Sequence, residues 1–277
     1  MKKITKKVLK VLLTCLVSLS FIGGYTALAG ETVVIKGSTT VLPVAQVTAE
    51  AYMRIHPGIN ISLSGGGSGN GIKALIDGST DIATASRSIK PKEVKLAQEK
   101  GVNPVAHRIA IDAIIPIVHP QNPVTDLTSE QLSLIYQGKI RNWKEVGGKD
   151  LRIVVVSRDT SSGTYEVWEE RILHKAKVTP RAQLQASNGA IIQTVSKNRY
   201  AIGYIGLGYL NTSVRALTVN GTEATVATAL SGAYPVARPL FMYTNGQPKG
   251  ATSDFINFVV SEGGQELVKK EGYVPLF

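Results

Sequence analysis

Ser157–Thr164 reads SRDTSSGT, and its reading decides the fold. It follows the β-branched run Ile153-Val154-Val155-Val156 and precedes a helix-like run, Tyr165–Leu173. A buried strand therefore ends here, a hydroxyl-rich loop turns, and a helix begins. The first N–H groups of a helix lack intrahelical acceptors and carry the positive end of its dipole. Ser, Gly and Thr let an anion approach those groups closely. Arg158 adds a cationic fork suited to a tetrahedral oxyanion, and Asp159 stands where it could pin that fork by pairing with it. An ordinary N-cap would explain this loop alone.

The same device occurs twice more upstream. Thr32–Lys36 reads as a strand, Gly37-Ser38-Thr39-Thr40 as a turn, and Pro43–His56 as a helix with proline in its first turn. Ile59–Leu63 alternates like a strand, Ser64–Gly71 is a glycine-rich loop carrying Ser68, and a helix begins at Ile72. Asp81–Thr84 is a short strand before the polar loop Ala85-Ser86-Arg87-Ser88 and an exposed helix over Pro91–Lys100. Further helices are expected at Leu127–Gln137 and Gly189–Lys197, and a strand at Tyr200–Tyr204. The tail, Ser253–Lys270, reads as a helix pair broken at Gly263-Gly264. Strands and helices alternate, so the class is α/β.

Two extended, mostly apolar segments cross this pattern, Val105–Val118 with Asp112 in its middle and Val236–Thr244. They suggest two lobes joined by strand-like hinge crossings rather than by a disordered linker. The expected division is residues 30–112 with 240–277 in one lobe and 113–239 in the other. In an open α/β sheet, the loops at the carboxyl ends of the strands hold ligands. Two hydroxyl loops from one lobe and one from the other would surround a small, multiply charged oxyanion.

The first 29 residues stand apart. Met1–Lys10 carries five lysines and no acid, Val11–Ile22 is apolar, and Ala27-Leu28-Ala29 precedes Gly30 as a cleavage site. This is the pattern of a cleaved secretory signal peptide, and it implies export to the periplasm. The apolar run is too short to span a bilayer. Cys15, the only cysteine, lies inside it, and Leu12-Leu13-Thr14 makes a poor lipid-attachment site. Beyond residue 29 there are 26 basic and 20 acidic residues, a net charge of +6. That balance favours anions at long range. It lacks the basic runs with interleaved aromatics of a nucleic-acid binder.

Covalent chemistry finds little support. Ser68 or Ser162 as a nucleophile would need a base, and His56, His107, His119 and His174 share no recognisable spacing with either. Gly67-Ser68-Gly69 lacks the nucleophile-elbow frame because Asn70 takes its last position. No metal-ligand spacing or phosphate-binding Walker loop occurs. No cofactor is expected. A secreted phosphate-ester hydrolase and a surface adhesion protein remain the alternatives of another class. Trp143 and Trp168 are expected to be packing residues.

Through its hydroxyl loops and several further stretches, the chain resembles the phosphate-binding proteins of Pst-type ABC transporters. The likeness is carried by Gly37–Thr40, Gly65–Gly71, Ala85-Ser86-Arg87, LSLIYQGKIRNW at Leu132–Trp143, Arg158–Thr164, Ala201–Tyr204 and Gly272–Leu276. Each is weak alone, and together and in order they are specific. The resemblance implies a two-lobed type II periplasmic binding protein fold that closes on its ligand. It also implies inorganic phosphate as ligand, membrane permease subunits as partners, a monomer and no catalysis. Another tetrahedral oxyanion, sulfate, molybdate or tungstate, stays open. Carried over by position, Thr39 offers its hydroxyl and N–H, Thr40 an N–H, and Ser68 its hydroxyl and N–H. Arg158, Ser162, Gly163 and Thr164 clamp from the other lobe. Well-known members carry an aspartate near Ser86-Arg87 that accepts the ligand's proton; here those two residues take its place as expected phosphate contacts. Asp112 is the expected substitute acceptor.

Overall fold

The computed structural model describes residues 30–277. The expected signal peptide and Cys15 lie outside the described residues. Val33 and Ile35 are buried between partly exposed neighbours and seat β1 (Glu31–Gly37) on the core. β2 (Ile59–Gly65) and β3 (Ile82–Ala85) flank it in parallel. Parallel neighbours need crossovers, and α1 (Leu42–Ile55) and α2 (Ser68–Ile76) supply them. α3 (Pro91–Glu99) follows β3.

The longest strand is β4 (Pro104–Val118). Up to Ala113 it pairs antiparallel with β11 (Ala237–Asn245), and from Ile114 onward with β8 (Ala201–Gly206). One strand therefore serves both halves of the molecule. β6 (Val154–Arg158) runs parallel to β8, and β7 (Gln183–Gln185) parallel to β6. The order across the main sheet is β2-β1-β3-β11-β4-β8-β6-β7, with β9 (Arg215–Ala216) set against the end of β4. β5 (Asp126–Leu127) and β10 (Thr218–Val219) form a small separate pair. α4 (Ser129–Tyr136), α5 (Gly163–Arg171), α6 (Asn188–Ser196) and α7 (Val226–Leu230) complete the second half.

Buried apolar side chains fall into separate clusters. The largest draws on residues between Ala113 and Val236 and takes Val274 from the tail. Another draws on residues between Val33 and Ala110 and between Leu240 and Tyr273, with a smaller one around Ile72, Leu75 and Tyr243. Trp143 and Trp168 are buried, as packing residues should be. Trp168 stacks on Tyr204 with ring centroids 4.5 Å apart, and truncating such a ring to alanine costs about 3–5 kcal/mol.

Expected boundaries move at two places. The helix expected from Ile72 begins at Ser68, so Ser68 opens α2 instead of lying in the glycine-rich loop before it. The tail helices α8 (Gly250–Val260) and α9 (Glu262–Lys270) break at Ser261, not at Gly263-Gly264. The Ser261 hydroxyl accepts from Gly264 N at 3.3 Å and so caps α9. Gly264 is there for proximity, since a Cβ would collide with Phe258 O, inside α8. The glycine there reflects small size at a helix contact, not a break.

Candidate anion-binding cleft

α1, α2 and α5 all start where β1, β2 and β6 end, so their N-termini face one place. Thr40 Oγ1 lies 2.9 Å from Thr164 Oγ1, a hydrogen bond between residues 124 apart. A Cβ on Gly163 would collide with Ser68 Oγ and lie 2.8 Å from Ser86 Oγ. Ser161 O accepts from Gly69 N at 3.0 Å, and Ser161 Oγ donates to Gly66 O at 3.2 Å. Gly67 just before α2 has φ of +103°, a conformation that L side chains rarely adopt. The expected residues Thr39, Thr40, Ser68, Ser86, Ser162, Gly163 and Thr164 thus line one buried region, drawn from both halves of the sheet.

Arg158 closes β6 and is 1% exposed. Its Nε donates to Gln185 O at 3.0 Å and its Nη2 to Ala186 O at 2.9 Å. Its buried Nη1 has no hydrogen-bond partner among the described residues. Two neutral carbonyls therefore hold the guanidinium in place without neutralising it. Burial pushes its pKa down, while Tyr204 and Asp159 pull the other way. The expected fork with Asp159 is not made: that carboxylate accepts from Ser161 N at 2.9 Å and from the Ser161 hydroxyl. A residue next to a strand-end arginine turns with the loop, and here it serves the turn before α5.

The polar loop after β3 behaves differently. Ser86 N donates to Ser68 Oγ at 3.0 Å, which places Ser86 in the cleft. Arg87 departs from its expected role as a ligand contact. Its Nη1 and Nη2 donate to Glu93 at 2.8 and 2.7 Å, and its Nε lies 2.6 Å from Glu166. With two carboxylates this close, its charge is satisfied before any anion arrives.

Asp112 is fully buried on β4. Its Oδ2 accepts from Arg238 Nη2 at 2.8 Å and Nε at 3.2 Å, and its Oδ1 from Leu207 N at 2.9 Å. Burial pushes its pKa up, against the pull of Arg238 and of the Leu207 and Ala113 N–H groups. Most of its acceptor capacity is therefore used by the protein itself.

Several cleft residues lie outside the expected set. Arg238 reaches Thr40 Oγ1 at 3.3 Å and Thr164 Oγ1 at 3.0 Å. Asn188, at the start of α6, donates to Thr40 Oγ1 at 3.2 Å and Thr39 Oγ1 at 3.4 Å. Tyr209 and Tyr273 donate to the carbonyls of Thr39 and Thr40 at 2.6 and 2.7 Å. Two signals were available. Ser187-Asn188-Gly189 is one more small polar turn between a strand and a helix. Asp112 and Arg238 are opposite charges deep in two apolar crossings, and they face each other in the strand register. Ser162 Oγ caps α5 by accepting from Tyr165 N, and Ser68 Oγ accepts from Ser86 N. Among the described residues neither bonds a histidine, and no group of acids, histidines or cysteines could hold a metal.

The chain matches the model of the PBP superfamily domain over residues 25–263. It is 34% identical to the phosphate-binding protein PstS of Borreliella burgdorferi, across 87% of this chain and 89% of that protein. It belongs to this family. Among solved structures of the family, it is similar to a phosphate ABC transporter substrate-binding protein from Clostridium perfringens, crystallised with bound phosphate. The two share 39% identity and a TM-score of 0.84, over 89% of this chain and 100% of that one. An ABC-type phosphate transport receptor from Vibrio cholerae shares 33% identity and a TM-score of 0.72, over 87% of this chain and 99% of that one. The two-lobed α/β fold with strand-like crossings is therefore the fold of this family member, and its cleft lies where β1, β2, β3 and β6 end.

Proposed function

We propose that this chain is an exported solute-binding protein that captures inorganic phosphate between its lobes and hands it to the permease of an ABC transporter. The observation that carries the reading is Arg158, a buried guanidinium held by carbonyls alone, at the end of the strand that leads into α5 and close enough to feel the charge of Arg238, which bonds Thr40 and Thr164. Burying an unpaired charge is costly, and an anion in the cleft removes that cost. Hydroxyls and helix N–H groups then spread the rest of the anion's charge over neutral dipoles. Thr39, Thr40, Ser68, Ser162, Gly163 and Thr164 are the proposed direct contacts. Ser86 stands behind Ser68, and Arg87 belongs to an ion network beside the cleft.

The separate apolar clusters support a division into lobes at 112/113 and 239/240. Lobe closure is then coupled to binding, because Thr40 and Ser68 lie on one side and Arg158 and Thr164 on the other. Residues 1–29 supply the export signal in this reading, and the mature chain works as a monomer in the periplasm without a lipid anchor. Among the described residues no helix is long and apolar enough to cross a membrane.

The test uses residues 30–277, unfolded and refolded to strip bound ligand, then incubated with phosphate, sulfate and a phosphate monoester. Saturable phosphate binding with no release of phosphate from the ester is expected. A preference for sulfate would keep the fold and overturn the ligand. Continuous ester turnover that disappears in Ser162→Ala would replace the binding protein with a hydrolase.

A further inference from the structure

Arg238 lies on β11 with its side chain 3% exposed, and it binds more partners than any other cation of the cleft. Its Nη1 donates to Ser86 O at 3.1 Å. Its Nε and Nη2 fork onto Asp112 Oδ2. Its Nη2 also lies 3.0 Å from Thr164 Oγ1 and 3.3 Å from Thr40 Oγ1, one hydroxyl from each side of the cleft.

An arginine has donors and no acceptor. Any hydroxyl that meets Arg238 must therefore accept from it. Thr40 Oγ1 also accepts from Asn188 Nδ2, whose amide is oriented because Asn188 Oδ1 accepts from Gly206 N at 3.2 Å. Thr40 Oγ1, with both acceptor positions taken by Arg238 and Asn188, has only its proton to offer, and it gives that proton to Thr164 Oγ1; Thr164 Oγ1 accepts from Arg238 and Thr40 and so turns its own proton toward the cleft. The pair's mutual bond of 2.9 Å gives way when an anion oxygen takes both protons.

We infer that Arg238, anchored by Asp112, is a specificity-determining positioning residue that fixes the Thr40 and Thr164 hydroxyls as donors toward the anion. The inference rests on the phosphate reading above. It assigns Asp112 to holding Arg238 rather than to accepting the ligand's proton. Bare oxyanion oxygens are favoured beside Thr40 and Thr164. A protonated oxygen must sit elsewhere, and the Ser68 hydroxyl, which no cation occupies and which Ser86 N holds from behind, is the group placed to accept from it.

The experiment is a double-mutant cycle on phosphate affinity, measured by calorimetry with refolded residues 30–277. In the wild-type background Thr164→Val is expected to weaken binding roughly 10- to 100-fold, the scale of a charge-assisted hydrogen bond. In an Arg238→Gln background the same change is expected to cost less than about 3-fold, because the two act as one unit. Arg238→Lys should recover part of the loss, since it restores a donor-only cation. Costs that multiply, or an Arg238→Gln protein that binds like the wild type, would overturn the inference. Failure of the wild type to bind phosphate would overturn the phosphate reading, and this inference with it. Asp112→Asn supplies an independent arm: the phosphate-to-sulfate affinity ratio should stay within about 3-fold of the wild type, and a collapse of that ratio would make Asp112 the proton acceptor after all.

Discussion

Two arginines of this chain occupy nearly the same local setting and meet opposite fates. Arg87 stands two residues past β3 and Arg158 closes β6, each in a serine-rich turn before a helix, and both are buried. Arg87 is surrounded by carboxylates, with Glu93 at 2.7 Å and Glu166 at 2.6 Å. Arg158 is surrounded by carbonyls. Only the second keeps an uncancelled charge inside the fold. A strand-end arginine marks an anion site when nothing acidic reaches it, and sequence proximity is a poor guide to that. Asp159 is adjacent to Arg158 and serves another bond, whereas Glu166 is far from Arg87 and closes on it from α5. The Arg87–Glu166 pair also joins a loop beside the smaller cluster to a helix anchored by Trp168 in the largest one. It therefore ties the two halves together at the edge of the cleft.

The largest expected effect is on Arg158. Arg158→Ala should weaken phosphate binding by about 2–5 kcal/mol, the range for truncating one partner of a buried charged contact. A calorimetric loss below about 0.5 kcal/mol would remove Arg158 from the site. Arg87→Ala should do the reverse, costing about 1–3 kcal/mol of stability by removing the guanidinium that Glu93 and Glu166 share, with Lys90 left to both carboxylates and affinity changed less than tenfold. Denaturant unfolding and a phosphate titration on the same protein separate the two, and an affinity loss matching that of Arg158→Ala would abolish the contrast. Glu166→Gln, which cuts only the tie between the halves, should lower affinity by about 1 kcal/mol at low salt and less at high salt. Equal affinity loss at both ionic strengths would argue against a tie made by charge.

The smallest effect is acid sensitivity. Burial pushes the Glu93 carboxyl up, but hydrogen bonds from Arg87 and the Lys90 N–H outweigh it and hold it below its ordinary value of 4.5. A folded-state pKa lowered in this way adds stability above that ordinary value and loses it as the pH falls through the folded value. Thermal melts from about pH 6 to pH 3 should therefore fall more steeply for the wild type than for Glu93→Gln. Parallel curves would mean that Glu93 gains nothing from Arg87.

Much of this was legible in the chain. The three strand–loop–helix units declare themselves because β-branched runs end in Ser, Thr and Gly, and those residues have few other reasons to cluster there. β4 and β11 were legible as crossings because both are extended and apolar. The opposite charges of Asp112 and Arg238 stand out in those crossings, but their pairing does not, because they are 126 residues apart and meet only through the strand register. The helix break at Ser261 was misplaced because glycine signals both flexibility and close packing, and only the position of Phe258 O tells which applies at Gly264. Arg87 misleads for a similar reason: its motif fits a ligand contact, and the two carboxylates that claim it come from other elements.

The most direct measurement is a crystal structure of residues 30–277 with phosphate. A phosphate oxygen about 3 Å from Arg158 Nη1, with Arg87 still on Glu93 and Glu166, is the predicted result. Phosphate bound beside Arg87, or an Arg158 guanidinium turned away from it, would contradict the account.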